Sequence, residues 1–448
     1  MLIRTVTVDF SAKGGKIKPI TGINSGPLSG GRLECDFSPE YSELAIPSVR
    51  VSDVEPPYGG GRLVDVHCIF PDMSLDERME GSYCFCPTDK YLSAIKALGA
   101  DIVLRLGESY DLCGIGVYNR PPLDAMKWAR IAEHIISHYN RGWGAGMKLG
   151  IKQVEIWCEP DRKGGFAGDV TEYADFYTTV ARHLKECFPK LRIGAYSCGG
   201  FAGLNHFDAP TEVKGYTEYL ERFLSLIASP EREAPLDFLS WKCYAESPEE
   251  LALHANYARS YINASPYKKA GSVISEFNTK ESLAGGAFKR REYPSELAAS
   301  LIIAQKSAVD AVYYSDGNPL SPKNCLFTLD GGVDHRRYAS YEVMRAFGRL
   351  YRYSSMLDGS EDYRREIYTL AAGAEGGATV ILTTRDFSGE IDVVLESCPF
   401  SRYSITGLVG GGERGEGRMT SAQCVPLRDG KISLRAGKGE VYIIDLAP

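Results

Sequence analysis

Short β-rich runs alternate with amphipathic helical stretches between about residues 15 and 345 of the chain. This alternation is typical of parallel βα units, because each parallel strand needs a crossover connection before the next one begins. The predicted strands are 16–22, 46–52, 101–106, 151–157, 191–197, 237–244, 271–277 and 311–315. Eight units in a segment of this size predict a closed (β/α)8 TIM barrel rather than an open doubly wound sheet.

The C-terminal part of the chain has a different pattern. Short strand-like runs at 365–370, 378–384, 391–395, 401–408 and 440–444 are separated by glycine-rich turns, which predicts a β-sandwich. Residues 2–10 also alternate apolar and polar side chains, and we expect them to form a strand that pairs with this sheet. The expected α/β architecture is a barrel at 13–345 and a smaller β-sandwich domain at 346–448 that includes the N-terminal strand 1–12.

Composition argues against nucleic acid and membrane as partners. The 448 residues include 24% charged side chains of both signs and have a net charge of −7, so no phosphate-binding basic surface is expected. No apolar run is long enough for a signal peptide or a membrane span, and we expect a cytoplasmic protein. The 12 cysteines are scattered, which favours reduced thiols over a disulfide framework.

The sequence lacks the motifs of several other enzyme classes. It has no Gly-x-Ser-x-Gly nucleophile elbow and no Gly-x-Gly-x-x-Gly turn between a strand and a helix, so an esterase and a nicotinamide enzyme are poorly supported. His134 and His138 have the spacing of two metal ligands on a helix, but Ile135 replaces the glutamate of a His-Glu-x-x-His motif. We expect no metal ion and no cofactor.

Two glutamates lie where predicted barrel strands end. Glu159 follows the fourth strand and precedes Pro160, which cannot extend a sheet, and Glu276 lies at the end of the seventh strand. Functional side chains of such barrels lie at the carboxyl ends of the strands. Because the fourth and seventh strands face each other across an eight-stranded barrel, we expect the two carboxylates to lie opposite each other.

Cleavage of a glycosidic bond needs such a pair of carboxyl groups. One protonates the leaving oxygen, and in a retaining enzyme the other attacks the anomeric carbon, the two groups being about 5 Å apart. Glu159 and Glu276 are the candidates for this pair. The alternative for each glutamate is an ordinary rim residue in a salt bridge.

The residues around both glutamates resemble glycoside hydrolase family 39, which includes β-xylosidases and α-L-iduronidases. The fourth strand resembles the family's Glu-Ile-Trp-Asn-Glu-Pro, and residues 275–279 resemble its nucleophile segment Thr-Glu-Tyr/Phe-Asn-Thr. The layout of nearly the whole chain is similar. The resemblance implies a retaining double displacement on a xyloside, a uronide or a related glycoside, with Glu159 as general acid/base and Glu276 as nucleophile.

Two positions depart from the family pattern. Cys158 replaces an asparagine that bonds the sugar 2-hydroxyl, and because a thiol is a weak donor and acceptor, we expect this hydrogen bond to be weakened or lost. Lys242 follows Trp241 where the family usually has histidine. We expect its ammonium to favour an acidic glycone or to hold Glu276 ionised, and the alternative is a side chain that points outward between helices.

Further candidates for substrate binding lie near other strand ends. Tyr244, Asn278 and Tyr313 are placed where a hydrogen bond to Glu276 would orient it, with rim packing as the alternative. His67 lies on the long loop after the second strand and is expected to border the sugar pocket, unless that loop simply packs on itself.

Three charged residues are expected inside the barrel. Arg50 and Arg105 lie within strands, and Glu155 shares side-chain parity with Glu159, so its carboxylate should point into the interior. A buried charge must be paired, and we therefore expect Glu155 to meet one of these arginines beneath the site. Direct contact with substrate is the alternative for both arginines.

The sequence leaves two other functions open. A non-catalytic carbohydrate-binding protein would keep the barrel and both glutamates without the supporting contacts, as Cys158 and Lys242 suggest. A transglycosylase would use the same covalent intermediate with a sugar in place of water. In every case the expected partner is an oligosaccharide or glycoside, and the β domain is a candidate surface for a homo-oligomer.

Overall fold

The computed structural model describes residues 3–30, 33–52, 63–108, 119–320, 324–328, 335–359, 366–411 and 417–448. Eight parallel strands close a barrel in which each strand pairs with the next along the chain and the last pairs with the first. In chain order these strands are Gly22–Ile23, Ser48–Val51, Asp101–Leu106, Gln153–Ile156, Arg192–Cys198, Phe238–Ala245, Gly271–Thr279 and Ala311–Tyr314. The predicted (β/α)8 barrel is thus confirmed.

The first barrel strand is much shorter than predicted. It comprises only Gly22–Ile23, whereas the sequence suggested residues 16–22. Pro19 has no N–H to donate to a neighbouring strand, which limits regular pairing before Thr21. Residues 16–20 therefore approach the barrel without joining its ladder.

Helices surround the barrel and connect its strands. They are Ser38–Leu44, Val66–Ile69, Cys86–Ala97, Ala125–Asn140, Val170–Cys187, Thr211–Ile227, Pro248–Ala264, Tyr293–Lys306 and Ala339–Arg349, with short 3-10 turns at Glu80–Ser82, Trp143–Ala145, Ala202–Leu204, Lys280–Ala284, Ala287–Lys289 and Leu350–Arg352. The helix after the fourth strand begins at a capping box in which Asp169 and Glu172 exchange side-chain and backbone hydrogen bonds. None of the helices in the described ranges has the length and apolar character needed to cross a membrane.

The C-terminal region forms a curled mixed sheet of nine strands. Its members are Ile3–Lys13, Met356–Gly359, Ile367–Ala374, Gly377–Thr384, Gly389–Glu396, Arg402–Val409, Arg418–Pro426, Lys431–Ala436 and Glu440–Ala447. The N-terminal strand lies inside this sheet, parallel to Gly389–Glu396 and antiparallel to Met356–Gly359. Residues 2 and 365, the outer ends of two predicted strands, lie outside the described ranges.

Three strands of this sheet were not predicted. Met356–Gly359 is only four residues long, and Arg418–Pro426 and Lys431–Ala436 contain mostly polar or short side chains. Such sequences lack the β-branched and aromatic enrichment on which strand prediction depends. Pairing with more apolar neighbours recruits them into the sheet.

Apolar side chains fill the lower end of the barrel. Val103, Phe238, Val273 and Tyr313 form a separate buried cluster there. Above this layer the interior becomes polar, with Arg50 and Glu155 fully buried. Layered filling of this kind makes the barrel a packed core, and only its carboxyl-terminal end is left to build a site.

Candidate active site

Lys242 lies between the two predicted catalytic carboxylates. Its Nζ atom is 2.6 Å from Oε2 of Glu159 and 2.8 Å from Oε1 of Glu276. The exposed fractions of the three side chains are 12% for the lysine, 3% for Glu159 and 10% for Glu276. The ammonium therefore points into the mouth of the barrel rather than outward between helices, and it forms a nearly buried bridge between two acids.

The register of the sheet explains why Lys242 and Glu276 meet. They are paired positions on the neighbouring sixth and seventh barrel strands, so their side chains project to the same side. The ladder is irregular between Ile274 and Glu276, where Ser275 is an extra residue. A bulge of this kind changes the direction of the side chains that follow it, and such irregularities are common beside active sites.

An unusual backbone directs Glu159 into the site. Both Trp157 and Glu159 have positive φ values, 70° and 49°, in the left-handed region that residues other than glycine rarely adopt. Packing and hydrogen bonds hold this conformation, since the Trp157 Nε1–H donates to the Gly165 carbonyl at 2.8 Å and the Glu159 N–H to the Tyr196 carbonyl at 2.9 Å. Gly165 is required here, because a Cβ atom at this position would lie 1.9 Å from the carbonyl oxygen of Glu159.

The two carboxylates are close enough to act on one sugar. Since a single Nζ contacts both, Oε2 of Glu159 and Oε1 of Glu276 are separated by no more than the sum of the two contact distances, about 5.4 Å. Retaining glycosidases place their carboxyl groups about 5 to 5.5 Å apart, whereas inverting enzymes need roughly 6.5 to 9.5 Å to admit a water molecule. The observed limit agrees with the retaining arrangement.

A buried ion pair supports the site from below. Arg50 Nη2 lies 2.5 Å from Oε1 of Glu155, and its Nη1 donates to Asn24 Oδ1 at 2.9 Å. The same Nη1 is 3.7 Å from Oε1 of Glu276. Burial alone would lower the pKa of the Arg50 guanidinium, but the charges of Glu155 and then Glu276 raise it well above its usual value. The predicted pairing of Glu155 with an arginine is confirmed, and Arg50 also links it to Glu276.

Cys158 lies beside this ion pair. Its Sγ atom is 3.8 Å from Nη2 of Arg50 and 3.9 Å from Oγ of Ser52, and the residue is 7% exposed. These are long, weak contacts for polar atoms. The thiol therefore fills the position next to Glu159 without offering a strong hydrogen-bonding group to a sugar hydroxyl.

Tyr244 orients Glu276 from the other side. Its hydroxyl donates to Oε2 of Glu276 at 3.1 Å and lies 3.1 Å from Oγ of Ser315. Burial, followed by the charge of Glu276, raises the pKa of the Tyr244 phenol, which stays protonated and able to donate. Ser315 was not predicted as a site residue, because a lone serine after the eighth strand carries no sequence signal.

Two predicted neighbours of Glu276 lie elsewhere. The Asn278 amide donates to the Ser315 carbonyl at 2.8 Å and accepts from the Tyr293 hydroxyl at 2.7 Å. Tyr313 extends into the lower apolar layer, where its hydroxyl accepts from Oγ of Ser48 at 3.0 Å. The position of a residue on a strand does not determine the direction in which a long side chain extends. The Tyr313 ring packs against Gly22, where a Cβ atom would come within 2.7 Å of the ring.

His67 belongs to a polar cluster beyond the second and third barrel strands. Its Nδ1 lies 2.5 Å from Oε2 of Glu108, and Asp65 pairs with Arg105 at the same distance. Burial alone would lower the pKa of His67, but hydrogen bonds with Cys68 and Glu108 raise it to about 11. His67 is therefore held by Glu108, and Arg105 pairs with Asp65 rather than with Glu155.

Two residues just after Glu159 also contribute to the site without having been predicted. Arg162 Nη1 lies 3.7 Å from Oε1 of Glu159, and its side chain is 48% exposed. Asp161 is partly buried and accepts from the Gly199 N–H at 2.9 Å. Burial, opposed by this hydrogen bond and assisted by the charge of Glu159, raises the pKa of Asp161 to about 7. The only sequence signal for either residue was its proximity to Glu159.

Comparisons with known proteins agree with this geometry. Residues 63–279 match the sequence model described as glycosyl hydrolases family 39, whereas no curated protein matches the chain. Among solved structures, a glucosidase from Croceicoccus marinus has a TM-score of 0.79 at 18% identity, over 100% of this chain and 99% of its own. A monomeric β-xylosidase from Caulobacter crescentus CB15 has a TM-score of 0.70 at 14% identity and covers 99% of both chains. The GH39 enzyme from Xanthomonas axonopodis pv. citri has a TM-score of 0.72 at 16% identity, over 99% of this chain and 97% of its own.

The family match and the structural similarity support different conclusions. At these identities the solved structures establish the fold alone, a barrel with an accompanying β domain. The matched segment includes both Glu159 and Glu276 as well as Lys242 between them. The resemblance noted from the sequence is therefore confirmed for residues 63–279, which match family 39, and the chain is a glycosidase.

Proposed function

We propose that the chain is a retaining glycoside hydrolase in which Glu159 is the general acid/base and Glu276 the nucleophile. The observation that supports this most directly is the separation of their facing oxygens, at most about 5.4 Å. The barrel, residues 13–345, is the catalytic unit of this proposal. The glycone is a uronide in preference to a xyloside.

In the first step Glu276 attacks the anomeric carbon while the bond to the leaving oxygen breaks and Glu159 gives that oxygen a proton. In the second step Glu159 accepts a proton from water, the resulting oxygen attacks the anomeric carbon, and the bond to Glu276 breaks. Tyr244 and Arg50 hold the nucleophile, the first by a hydrogen bond at 3.1 Å and the second by its charge at 3.7 Å. Both contacts stabilise the ionised carboxylate that attacks.

The position of Lys242 favours an acidic glycone. Its ammonium occupies the space between the carboxylates, where the reacting bond has to lie. Lys242 Nζ also lies 2.6 Å from Oε2 of Glu159, where the leaving oxygen has to approach to receive its proton. A substrate must therefore draw Lys242 away from Glu159, and a carboxylate on the sugar offers the ammonium a replacement partner.

Mass spectrometry of the intact protein tests this proposal. The protein is incubated with activated 2-fluoro glycosides, one neutral xyloside and one uronide, alongside the variant Glu276→Gln. We expect a covalent adduct on Glu276 from the uronide, a slower or absent adduct from the xyloside, and none with the variant. An adduct on another residue, or turnover of aryl glycosides with inversion at the anomeric carbon, would contradict the assignment.

A further inference from the structure

A nitrogen, a sulfur and an oxygen ligand converge on the outer face of the barrel. His183 and Cys187 are one turn apart on the helix Val170–Cys187, and Glu133 faces them from the neighbouring helix Ala125–Asn140. His183 Nε2 is 2.7 Å from Oε2 of Glu133 and 3.8 Å from Sγ of Cys187. All three ligand atoms lie within 4.8 Å of one another.

These separations suit a tetrahedral metal ion. Zinc binds nitrogen and oxygen at about 2.0 to 2.2 Å and sulfur at about 2.3 Å, so two tetrahedral ligands lie roughly 3.4 to 3.6 Å apart. The observed values of 2.7 and 3.8 Å lie on either side of this range. His183 and Glu133 are 17% and 27% exposed, which leaves their side chains room to adjust and leaves solvent access for a fourth ligand.

The charges around the cluster also favour a cation. The negative charges of Glu133 and Glu186 lie close enough to act on the Cys187 side chain, and they attract a cation to it. Arg141 opposes this effect, but its Nη2 donates to the backbone carbonyl of Cys187 at 2.6 Å rather than to a ligand atom. Within the described ranges no lysine or arginine forms an ion pair with Glu133.

Among the residues that the structure describes, the two other clusters of this kind already contain protein cations. Arg105 lies 2.5 Å from Asp65 in the cluster with His67 and Glu108, and Lys280 is ion-paired with Glu246 in the cluster with His206 and Glu250. A metal ion would have to displace these side chains. The cluster on the two outer helices needs no such displacement.

We propose that Glu133, His183 and Cys187 bind one divalent transition-metal ion of the zinc class, with water as the fourth ligand. The mixed nitrogen, sulfur and oxygen donors suit zinc and cobalt better than calcium or magnesium. On binding, the thiol of Cys187 loses its proton to solvent and the thiolate sulfur bonds to the metal. The ion links the helices before and after the fourth barrel strand, and this role is independent of the glycosidase chemistry.

Cobalt(II) titration of the metal-free full chain is the direct test. We expect one equivalent to bind with a near-ultraviolet thiolate-to-cobalt band, and zinc to displace it and raise the melting temperature. Cys187→Ser should remove the band, and His183→Ala should weaken binding by about 100-fold or more. Both substitutions are at partly exposed positions, so the melting temperature of the metal-free variants should stay near that of the parent.

Two control variants separate this cluster from incidental binding. Cys84→Ser removes an exposed thiol, and His134→Ala removes a histidine of a neighbouring turn whose Nδ1 contacts the Arg130 carbonyl. Both should bind cobalt as the parent does. Binding that survives Cys187→Ser and His183→Ala, or that is lost with Cys84→Ser, would overturn the proposal, as would the absence of a thiolate band in the parent.

Discussion

Oε1 of Glu276 lies 2.8 Å from Nζ of Lys242 on the neighbouring strand. The ammonium is therefore part of the environment that any substrate meets when its anomeric carbon approaches Glu276, the proposed nucleophile. Lys242 also contacts Glu159, so one ammonium lies between the two carboxylates that we propose to be catalytic.

Lys242→Met should change the choice of glycone. We expect kcat/KM for an aryl uronide to fall by about 10- to 100-fold relative to an aryl xyloside, since a charge-assisted hydrogen bond contributes about 1.5 to 3 kcal/mol. Steady-state kinetics with both substrates measure this ratio. Lys280→Met, at a rim lysine paired with Glu246, is the matched control and should leave the ratio unchanged. An unchanged ratio in Lys242→Met would exclude the acidic glycone.

Glu159→Ala should slow hydrolysis according to how much the leaving group needs a proton. We expect a loss of about 10²- to 10⁴-fold with a poor leaving group and a smaller loss with a dinitrophenyl glycoside. Added azide should restore turnover of the activated substrate by forming a glycosyl azide of retained configuration. Glu246→Ala, a rim glutamate, provides the control. Azide rescue of that variant, or equal losses with both leaving groups, would argue against the assigned role.

Glu155→Gln should destabilise the barrel. The carboxylate is fully buried against Arg50, and removing one partner of a buried ion pair costs about 3 to 5 kcal/mol because it leaves an uncompensated charge. Urea denaturation followed by circular dichroism measures the loss in the free energy of unfolding. Asp76→Asn breaks the exposed pair with Arg78 and should leave the unfolding midpoint unchanged. Equal effects of the two substitutions would contradict the structural role given to Arg50.

Asp161→Asn should alter the dependence of stability on pH. Burial raises the pKa of Asp161 from 3.8 to about 7, so between these pH values the folded chain holds a proton that the unfolded chain releases. This contribution to stability is fully present below pH 3.8 and is lost as the pH rises to about 7, a change of about 4 kcal/mol. The urea midpoint of unfolding should therefore decrease less between pH 5 and pH 8 in the variant than in the parent. Parallel changes would show that Asp161 is ionised throughout.

Cys158→Asn should speed turnover of glycosides that carry an equatorial 2-hydroxyl. The thiol contacts Arg50 and Ser52 only at 3.8 and 3.9 Å, whereas an amide can donate a normal hydrogen bond to the sugar. Because bonds to the 2-hydroxyl strengthen in the transition state, we expect the gain in kcat rather than in KM. Substrates with 2-deoxy sugars are the control and should show no gain. A gain with both kinds of substrate would point to a different cause.

The sequence was sufficient to predict the barrel and to place Glu159 and Glu276 at the ends of its strands. The eight strand runs have strong periodicity, and the residues around Glu159 and Glu276 form a local motif that needs no tertiary information. From the sequence, Lys242 could point either into the site or outward between helices. The side to which its side chain points depends on the register between the sixth and seventh strands. That register is set by the irregularity at Ser275, which has no sequence signal.

Other parts of the site depended on contacts that sequence does not encode locally. Tyr313 was expected near Glu276, but its ring fills the space left by Gly22, on a strand distant in sequence. Ser315 and Asn24 reach the site because the eighth strand pairs with the seventh and the first strand pairs with the eighth. The polar strands of the C-terminal sheet were missed for the same reason, since their pairing rather than their composition makes them strands.

The strand Ile3–Lys13 pairs on both sides with strands synthesised more than three hundred residues later. During translation the backbone hydrogen-bonding groups on both edges of this strand therefore remain unpaired until the whole barrel has left the ribosome. Its alternate apolar residues, including the fully buried Val6 and Val8, have no final partner during that time. Exposed strand edges template association between chains, so nascent molecules of this protein pass through a period of vulnerability to intermolecular pairing. Closing the terminal sheet ends that period and locks the two ends of the described chain together.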